Sequence, residues 1–384
     1  MVSTISPLQW LLWLVGAVFL WWGLSWAIMQ RKFFGTNVRD FVFSPDGRTL
    51  YGGGGSYISP REEYGWIWAW DVATGRLLWR NKVETFLMTI TLSPDGASLL
   101  TEGGPGITFR EGECSWGGAR LWNTDTGELR FPLMDERHNG FTKNVFFTPD
   151  GRRLLGCFQE GIQIWEAQTG EPLDFWPVPK NKTGWPARLQ FSADGTRMLV
   201  QASAWPTGGT EELGNAFVQL WDAHTGAVLQ DFPTNTFAFG TLSPNADWIA
   251  VTFSRILPED AKGNVYAIHW LELYALNGQK LSQSPELPLY TCPESLSFLP
   301  DGNVLCRGTY SHVGEFTRKQ VFLWDTGTNQ ISEQPASSNG VLSADGRLQA
   351  VINEGGYRHR PPLGTIYRVD TGEKLCDLEG FAGR

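Results

Sequence analysis

Runs of basic residues are missing from this 384-residue chain, in which 31 Lys and Arg stand against 40 Asp and Glu for a formal net charge of -9. Phosphate backbones are held by clustered cations, so nucleic acid is excluded as the main partner. Cysteine is scarce: Cys114, Cys157, Cys292, Cys306 and Cys376 form an odd set without a Cys-x-x-Cys pair. That argues against a zinc site and a complete disulfide framework. Buried thiols in a reducing compartment fit best, with a periplasmic chain carrying one or two bridges as the alternative. The five histidines (His138, His224, His269, His312 and His359) lack metal-ligand spacing, and only His312 and His359, in adjacent insertions, are placed to meet. No Gly-x-Ser-x-Gly, no His-x-x-x-His and no paired carboxylates in a fixed frame occur. Gly52 to Gly55 precede no helix and lack the lysine of a phosphate-binding loop, so they read as a hairpin turn. No catalytic residue, cofactor or metal is expected, and the chain reads as a non-enzyme.

What is present is apolar and turn-rich: 42% hydrophobic residues, with 44 Gly, 22 Pro and 19 Trp. This composition excludes disorder and favours an all-β fold. One exception opens the chain. Leu8 to Met29 (LQWLLWLVGAVFLWWGLSWAIM) is free of charge and carries one amide, Gln9. As a helix at about 1.5 Å per residue it reaches roughly 33 Å, enough to cross a hydrocarbon core. A cleaved signal peptide and a buried core helix are the alternatives. The tail MVSTISP lacks the basic start of a signal peptide and the run is too long for one, so an uncleaved transmembrane helix is expected. Arg31 and Lys32 follow at once, with Arg39 a little further on, which by the positive-inside rule leaves the C-terminal part in the cytoplasm, the periplasm being the alternative. Trp10, Trp13, Trp21, Trp22 and Trp26 suit interfacial anchoring. Gln9, Gly16 and Gly23 recur at seven-residue spacing and give a small, polar stripe where another helix could dock.

After this segment the sequence repeats. A turn flanked by apolar residues recurs at VFSPDG (42–47), TLSPDG (91–96), FFTPDG (146–151), FSADG (191–195), TLSPNA (241–246), FLPDG (298–302) and VLSADG (341–346). The spacing is about 50 residues, the length of a propeller blade with loop insertions. A second motif follows each: WIWAWDVATG (66–75), ARLWNTDTG (119–127), IQIWEAQTG (162–170), VQLWDAHTG (218–226), WLELYALNG (270–278), VFLWDTGTN (321–329) and TIYRVDTG (365–372). Each unit thus reads strand, Asp-Gly hairpin, strand, variable loop, strand, Thr-Gly hairpin, strand. Glycine in the Asp-Gly and Thr-Gly turns supplies the positive φ that short hairpins demand. The aromatic closing each third strand (Trp70, Trp122, Trp165, Trp221, Tyr274, Trp324, Tyr367) is a wedge suited to the core between sheets.

These units resemble WD40 repeats of the divergent bacterial kind, with literal Trp-Asp at Trp70-Asp71, Trp221-Asp222 and Trp324-Asp325. The resemblance covers Val38 to Leu378 and implies a seven-bladed β-propeller of four-stranded antiparallel blades. The Gly-His dipeptide that opens an average family repeat is missing throughout, so the family's buried Asp-His-Ser-Trp network is not carried over. The expected organisation is a tail over 1–7, the transmembrane helix over 8–29, a linker over 30–37, the propeller over 38–378 and a C-terminal tail over 379–384. All seven units run from first to fourth strand in order, so the ring is expected to close by packing blade one on blade seven, helped by Phe33 and Phe34. Blade one also carries, from Ala69 to Trp79, a single match that resembles the tryptophan-docking repeat of quinoprotein dehydrogenases, which repeat it around eight blades and add an acidic calcium site.

Insertions concentrate between second and third strands (52–65, 101–118, 201–216, 253–265, 307–320, 353–364) and emerge on one face. They carry Tyr57, Tyr64, Trp116, Trp205, Tyr310 and Tyr357, the candidate partner-binding residues, because recognition concentrates in loops on rigid scaffolds. Length drift on an unused face is the alternative. A membrane-anchored, single-pass scaffold or accessory subunit is expected, with protein partners in or on the membrane and contact to the bilayer through 8–29. The rival is a propeller enzyme, a quinoprotein-like dehydrogenase or a hydrolase, with its site in the central channel. The linker is short: Phe33 to Asn37 span about 17 Å when extended.

Overall fold

The computed structural model describes residues 37–379 with interruptions; residues 1–36, 60–61, 84–86, 104–117, 134–142, 159, 180–184, 204–216, 235–238, 258–266, 288–290, 300, 311–317, 335–339, 344, 346, 353–362 and 380–384 lie outside it. The proposed span 8–29, with Gln9, Gly16 and Gly23, therefore falls outside the described residues, as do Phe33 and Phe34. Among the described residues no helix is long and apolar enough to cross a membrane.

Seven four-stranded antiparallel sheets follow one another along the chain, each a simple meander. In blade one β1 (Asn37–Phe43), β2 (Thr49–Ser59), β3 (Glu62–Asp71) and β4 (Leu77–Val83) pair in sequence order. The other blades cover 87–133, 143–177, 185–232, 240–283, 291–334 and 340–377. First strands of neighbouring blades touch one another, so they line the axis and the fourth strands form the rim. A meander of this kind places both tight turns of a blade on one face of the ring. The second-to-third junctions and the connections between blades lie on the other.

Local chemistry explains why the first turn recurs. In blade one Ser44 Oγ donates to Asp46 Oδ1 (2.6 Å), Asp46 accepts from the Arg48 N–H, and the Thr49 N–H donates back to Ser44 Oγ. Gly47 sits at φ +69°. The same bonds recur on Ser93 and Asp95, Ser192 and Asp194, and Ser343 and Asp345. The serine hydroxyl is the main cause that holds each of these carboxyls, and that of Asp46, below the ordinary aspartate value, reaching about 2 at Asp194. Blade five manages without: Ala246 takes the left-handed position at φ +55°, and Ser243 Oγ accepts from the Asp247 and Trp248 N–H groups.

The core lies between blades. Clusters of buried side chains each join two neighbours, for example Leu155, Ile164 and Trp176 of blade three with Val200, Phe217 and Trp221 of blade four. Trp70, Trp122, Trp165, Trp221, Tyr274 and Trp324 are buried as the wedge reading expects. Tyr367 is not: it is half-buried, so blade seven lacks a fully sequestered wedge.

Two sequence expectations change in blade one. The segment 52–65 is neither a loop nor, at Gly52 to Gly55, a turn; it is the paired length of β2 and β3, which runs out to Ser59 opposite Glu62. The glycines serve close packing. A Cβ on Gly52 would stand 2.6 Å from the Trp70 ring, and one on Gly53 2.4 Å from Ile90 of the next blade.

Closure joins the two ends of the propeller. Phe41, Leu50, Trp70 and Val72 pack with Ala350, Ile366 and Leu378 in one cluster. Beyond Leu378, the Glu379 N–H donates to Gly75 O (3.0 Å), its own carbonyl accepts from Trp70 Nε1 (3.0 Å), and its carboxylate accepts from the Leu77 N–H (2.9 Å). Cys376 Sγ donates to Val72 O.

Candidate functional site

Three regions hold groups able to act. The first is the insertion face. Tyr57 and Tyr64 lie on β2 and β3 beyond the level of Asn37, with Ser56 paired to Tyr64 and Tyr57 to Glu63. Tyr310 ends the strand Val304–Tyr310, paired with Arg318. The backbones of all three stand at the same face of the ring, in blades one and six. Trp116, Trp205 and Tyr357 lie outside the described residues, as do His138, His312 and His359.

The second region lies toward the axis, where polar side chains on the first or second strand of one blade staple the first strand of the next. Asp40 on β1 accepts from the Phe41 N–H (2.9 Å) and from Ile90 N–H of blade two (3.1 Å). Burial raises its carboxyl above the ordinary aspartate value in spite of those two donors. Glu102 of blade two accepts from the Asn144 and Val145 N–H groups of blade three (3.0 and 2.6 Å). In blade four, Gln190 accepts from the Leu242 N–H and Gln201 from the Gly240 N–H of blade five. Pairing and composition gave no hint of these staples, whose only trace in sequence is a polar residue inside an otherwise apolar strand. Their carboxylates are engaged with backbone donors, which is a structural use of groups that a channel enzyme would need as acid or base.

The third region is a cleft of about 860 Å³ at the closure seam on the tight-turn face, bordered by Arg48, Asp71, Asp345, Arg347 and Arg368 over Val72 and Leu348. Pro45 covers Gly96 of the next blade, Pro94 covers Gly151, and Pro149 covers Gly195. At the seam from blade seven to blade one the sequence has Ala344 in place of that proline, and a Cβ on Gly47 would meet nothing within 4 Å. Both charge signs border the cleft, so it selects for no single charge.

Outside these regions, Glu272 is buried among Tyr274 OH, Trp270 Nε1 (2.9 Å) and Lys280 Nζ (2.7 Å). Burial opposes its charge, but Lys280, Tyr274 and Trp270 together hold the carboxyl below the ordinary glutamate value. His269 is buried, and burial lowers its imidazole to about 4. His224 is exposed in a tight turn, its N–H donating to Asp222. Cys157 and Cys306 are buried thiols; burial pushes Cys157 up and Cys376, half-buried, up as well. Among the described residues no group of three or more His, Cys, Asp or Glu gathers in metal-binding geometry.

The match in blade one to the tryptophan-docking repeat has a structural counterpart. Trp79 lies against Gly127 of blade two, 2.7 Å from where a Cβ would stand, and its Nε1 donates to Thr124 O (3.0 Å). Phe131 meets Gly170, Trp176 meets Gly226 and Gln230 meets Gly278 in the same way, so three kinds of side chain fill one docking position.

No family model matches the chain. Human apoptotic protease-activating factor 1 is 29% identical over 161 residues, which is 40% of this chain and 11% of that protein. The chain therefore corresponds to a small part of that relative's length. Among solved structures, hydrazine synthase of Kuenenia stuttgartiensis superposes with a TM-score of 0.49 at 14% identity, over 73% of this chain and 76% of that one. What decides the architecture is the ring itself: seven meanders, each with the two turns and the aromatic third strand, closed by blade one on blade seven. The fold is a WD40-like β-propeller. Such a propeller is a rigid platform whose chemistry resides in what is grafted on its faces.

Proposed function

We propose that this propeller is a protein-interaction scaffold, or accessory subunit of a membrane complex, held at the membrane by residues 8–29 as a single-pass anchor with the ring on the cytoplasmic side, and that it is not an enzyme. The observation that carries the reading is the one-sided distribution of its insertions. Every second-to-third junction leaves the same face, and five of them are long, at 104–118, 204–216, 257–266, 311–317 and 353–363. A rigid ring that spends its extra length on one face is built to present a composite surface there, and the aromatic residues Tyr57, Tyr64, Trp116, Trp205, Tyr310 and Tyr357 are the anchors proposed for a protein partner. The axial carboxylates Asp40 and Glu102 support the non-enzyme side of the reading, since both are spent on holding neighbouring strands.

The test is purification of the full chain in mild detergent, followed by stepwise replacement of the insertions 104–117, 204–216 and 353–362 by short Gly-Ser turns. A co-purifying protein in fixed ratio that is lost with the insertions, while the circular dichroism stays β-rich, is the expected result. A chain that elutes alone and turns over a small molecule would replace the scaffold by an enzyme.

A further inference from the structure

Six of the seven seams are built alike. From its second and third strands each blade turns one cross-strand pair toward the next blade. The adjacent pair, the wedge with its partner, faces the blade before. At the seam from blade one to blade two, the pair Tyr51 and Ala69 packs on the pair Leu99 and Trp122 in a single cluster. Equivalent pairs meet in the other clusters, blade seven with blade one included. The partners of those wedges show how closely the seams are packed: Leu50, Leu99, Leu154, Met198, Ile249 and Val304 are all fully buried.

The seam from blade six to blade seven departs from this pattern at all four places. Blade six turns the pair Leu305 and Leu323 to it, and both are half-buried, where the matching residues of every other blade are buried. Blade seven answers with Gln349 and Tyr367, again both half-buried. Gln349 stands where the other six blades hold an aliphatic side chain or methionine. The docking position tells the same story. Side chains of the preceding blade stand against Gly127, Gly170, Gly226 and Gly278, but a Cβ on Gly372 of blade seven would meet nothing within 4 Å. Among the described residues no core cluster joins blades six and seven.

Burial of apolar surface is what holds two blades face to face, so faces that are already half-exposed lose little when they part. Parting any other seam would uncover a buried wedge and its buried partner. Blade seven, meanwhile, is fastened on its other side, by the cluster around Trp70 and by the three bonds of Glu379. We propose that the ring opens between blades six and seven, blade seven moving as one unit with blade one, while the seam that no peptide connects stays shut. The chain still joins blades six and seven, so this opening is a hinge that closes again without a search. It is a property of the ring and does not depend on what the insertions bind.

Distances between nitroxide pairs on adjacent blades test this in the full chain in detergent. Gly327 of blade six, Asp370 of blade seven and Ala73 of blade one are exposed at matching places in the third-to-fourth turns, as are Gln168 and His224 of blades three and four. Click-reactive phenylalanine analogues at these positions carry the labels without touching the native cysteines, and double electron–electron resonance reads the width of each distance distribution. The pair 327 and 370 should be at least about twofold broader than the pairs 370 and 73 or 168 and 224. Gln349→Met, which installs the residue that blade four holds at Met198, should narrow it to the width of the other two. Equal widths in all three pairs, or the greatest width at 370 and 73, would overturn the proposal. So would a broad distribution at 327 and 370 that Gln349→Met leaves unchanged, since the packing of the seam would then not be its cause.

Discussion

Substituting Gly75 by alanine tests whether the ring is closed by the contact between the end of blade seven and the second turn of blade one. Three glycines at matched turns make the comparison clean. Gly47, Gly75 and Gly372 have φ of +69°, +71° and +68°. Alanine in the left-handed region costs about 1–2 kcal/mol, offset in part by the lower entropy of the unfolded chain. A Cβ at Gly47 or Gly372 meets nothing within 4 Å, so Gly47→Ala and Gly372→Ala should cost about 1 kcal/mol each. At Gly75 the Cβ would stand 2.1 Å from the Asp377 carbonyl oxygen. That backbone must retreat by more than an ångström, and the three bonds that tie Glu379 to Gly75, Trp70 and Leu77 go with it. At about 1 kcal/mol per bond, less for the exposed one at Leu77, Gly75→Ala should cost about 3–4 kcal/mol in all. Urea unfolding of the full chain in detergent, followed by tryptophan fluorescence, reads the difference. Ending the chain at Leu378 supplies the cross-check: truncation and Gly75→Ala share a cause, so their costs should not add. Three alanine variants with the same midpoint would refute the closure argument.

The other expectations concern single blades. Trp221→Ala removes a fully buried wedge and should cost about 3–5 kcal/mol, whereas Tyr367→Ala, at a half-buried position, should cost clearly less in the same urea assay; equal losses would contradict the burial difference. Ser192→Ala removes the main cause of the depressed Asp194 carboxyl, so a carbon-detected titration should show Asp194 moving from about 2 up toward 3.8. For the native chain the sign follows: with the folded value depressed, the contribution of Asp194 is present above pH 3.8 and is lost as pH falls toward 2. His269 is neutral in the fold down to about pH 4, while the unfolded chain protonates near 6.5, so its contribution is complete above 6.5 and drains away as pH falls toward 4. His269→Leu should flatten the stability slope between those two values, and an unchanged slope would exclude His269 as its source.

Sequence reading reached the local parts of this structure and missed those made across the ring. Seven blades were legible because most tight turns are encoded within six residues by a hydroxyl, a carboxylate and a residue able to take positive φ, while blade five replaces the Asp-Gly pair by Asn245-Ala246 and blade six the hydroxyl residue by Leu299. Trp221 and Trp324 were legible as core because their strands alternate. Gly52 to Gly55 misled for a physical reason: glycine signals a turn locally, but here it makes room for Trp70 and Ile90, which are 18 residues away in one case and a blade away in the other. Tyr367 looked like the other wedges and is half-buried, because burial is set by the neighbouring blade and not by the strand that carries the ring. Glu379 could not be read from the sequence, since its partners Trp70, Gly75 and Leu77 lie some 300 residues earlier. Of the candidate partner-binding residues, Tyr57, Tyr64 and Tyr310 share a face by backbone position, and Trp116, Trp205 and Tyr357 lie outside the described residues.

The seams also explain how a propeller tolerates such uneven repeats. Among the described residues four seams are met at the docking position and three carry a polar staple near the axis, and the chemistry of neither is fixed. Docking is met by Trp79, Phe131, Trp176 or Gln230 on the glycine of the next blade. The axial staple is a carboxylate at Asp40 and Glu102 and an amide at Gln190 and Gln201. A rim of interchangeable solutions lets one blade drift without weakening the others, because each blade contacts only its two neighbours. The closing seam is the exception, since its two blades are last and first in the chain and no peptide connects them. There a Cβ on Gly47 would meet nothing within 4 Å, blade seven carries the half-buried wedge Tyr367, and Glu379 supplies three hydrogen bonds. The same seam that lacks a covalent connection is thus the one bordered by the cleft over Val72 and Leu348.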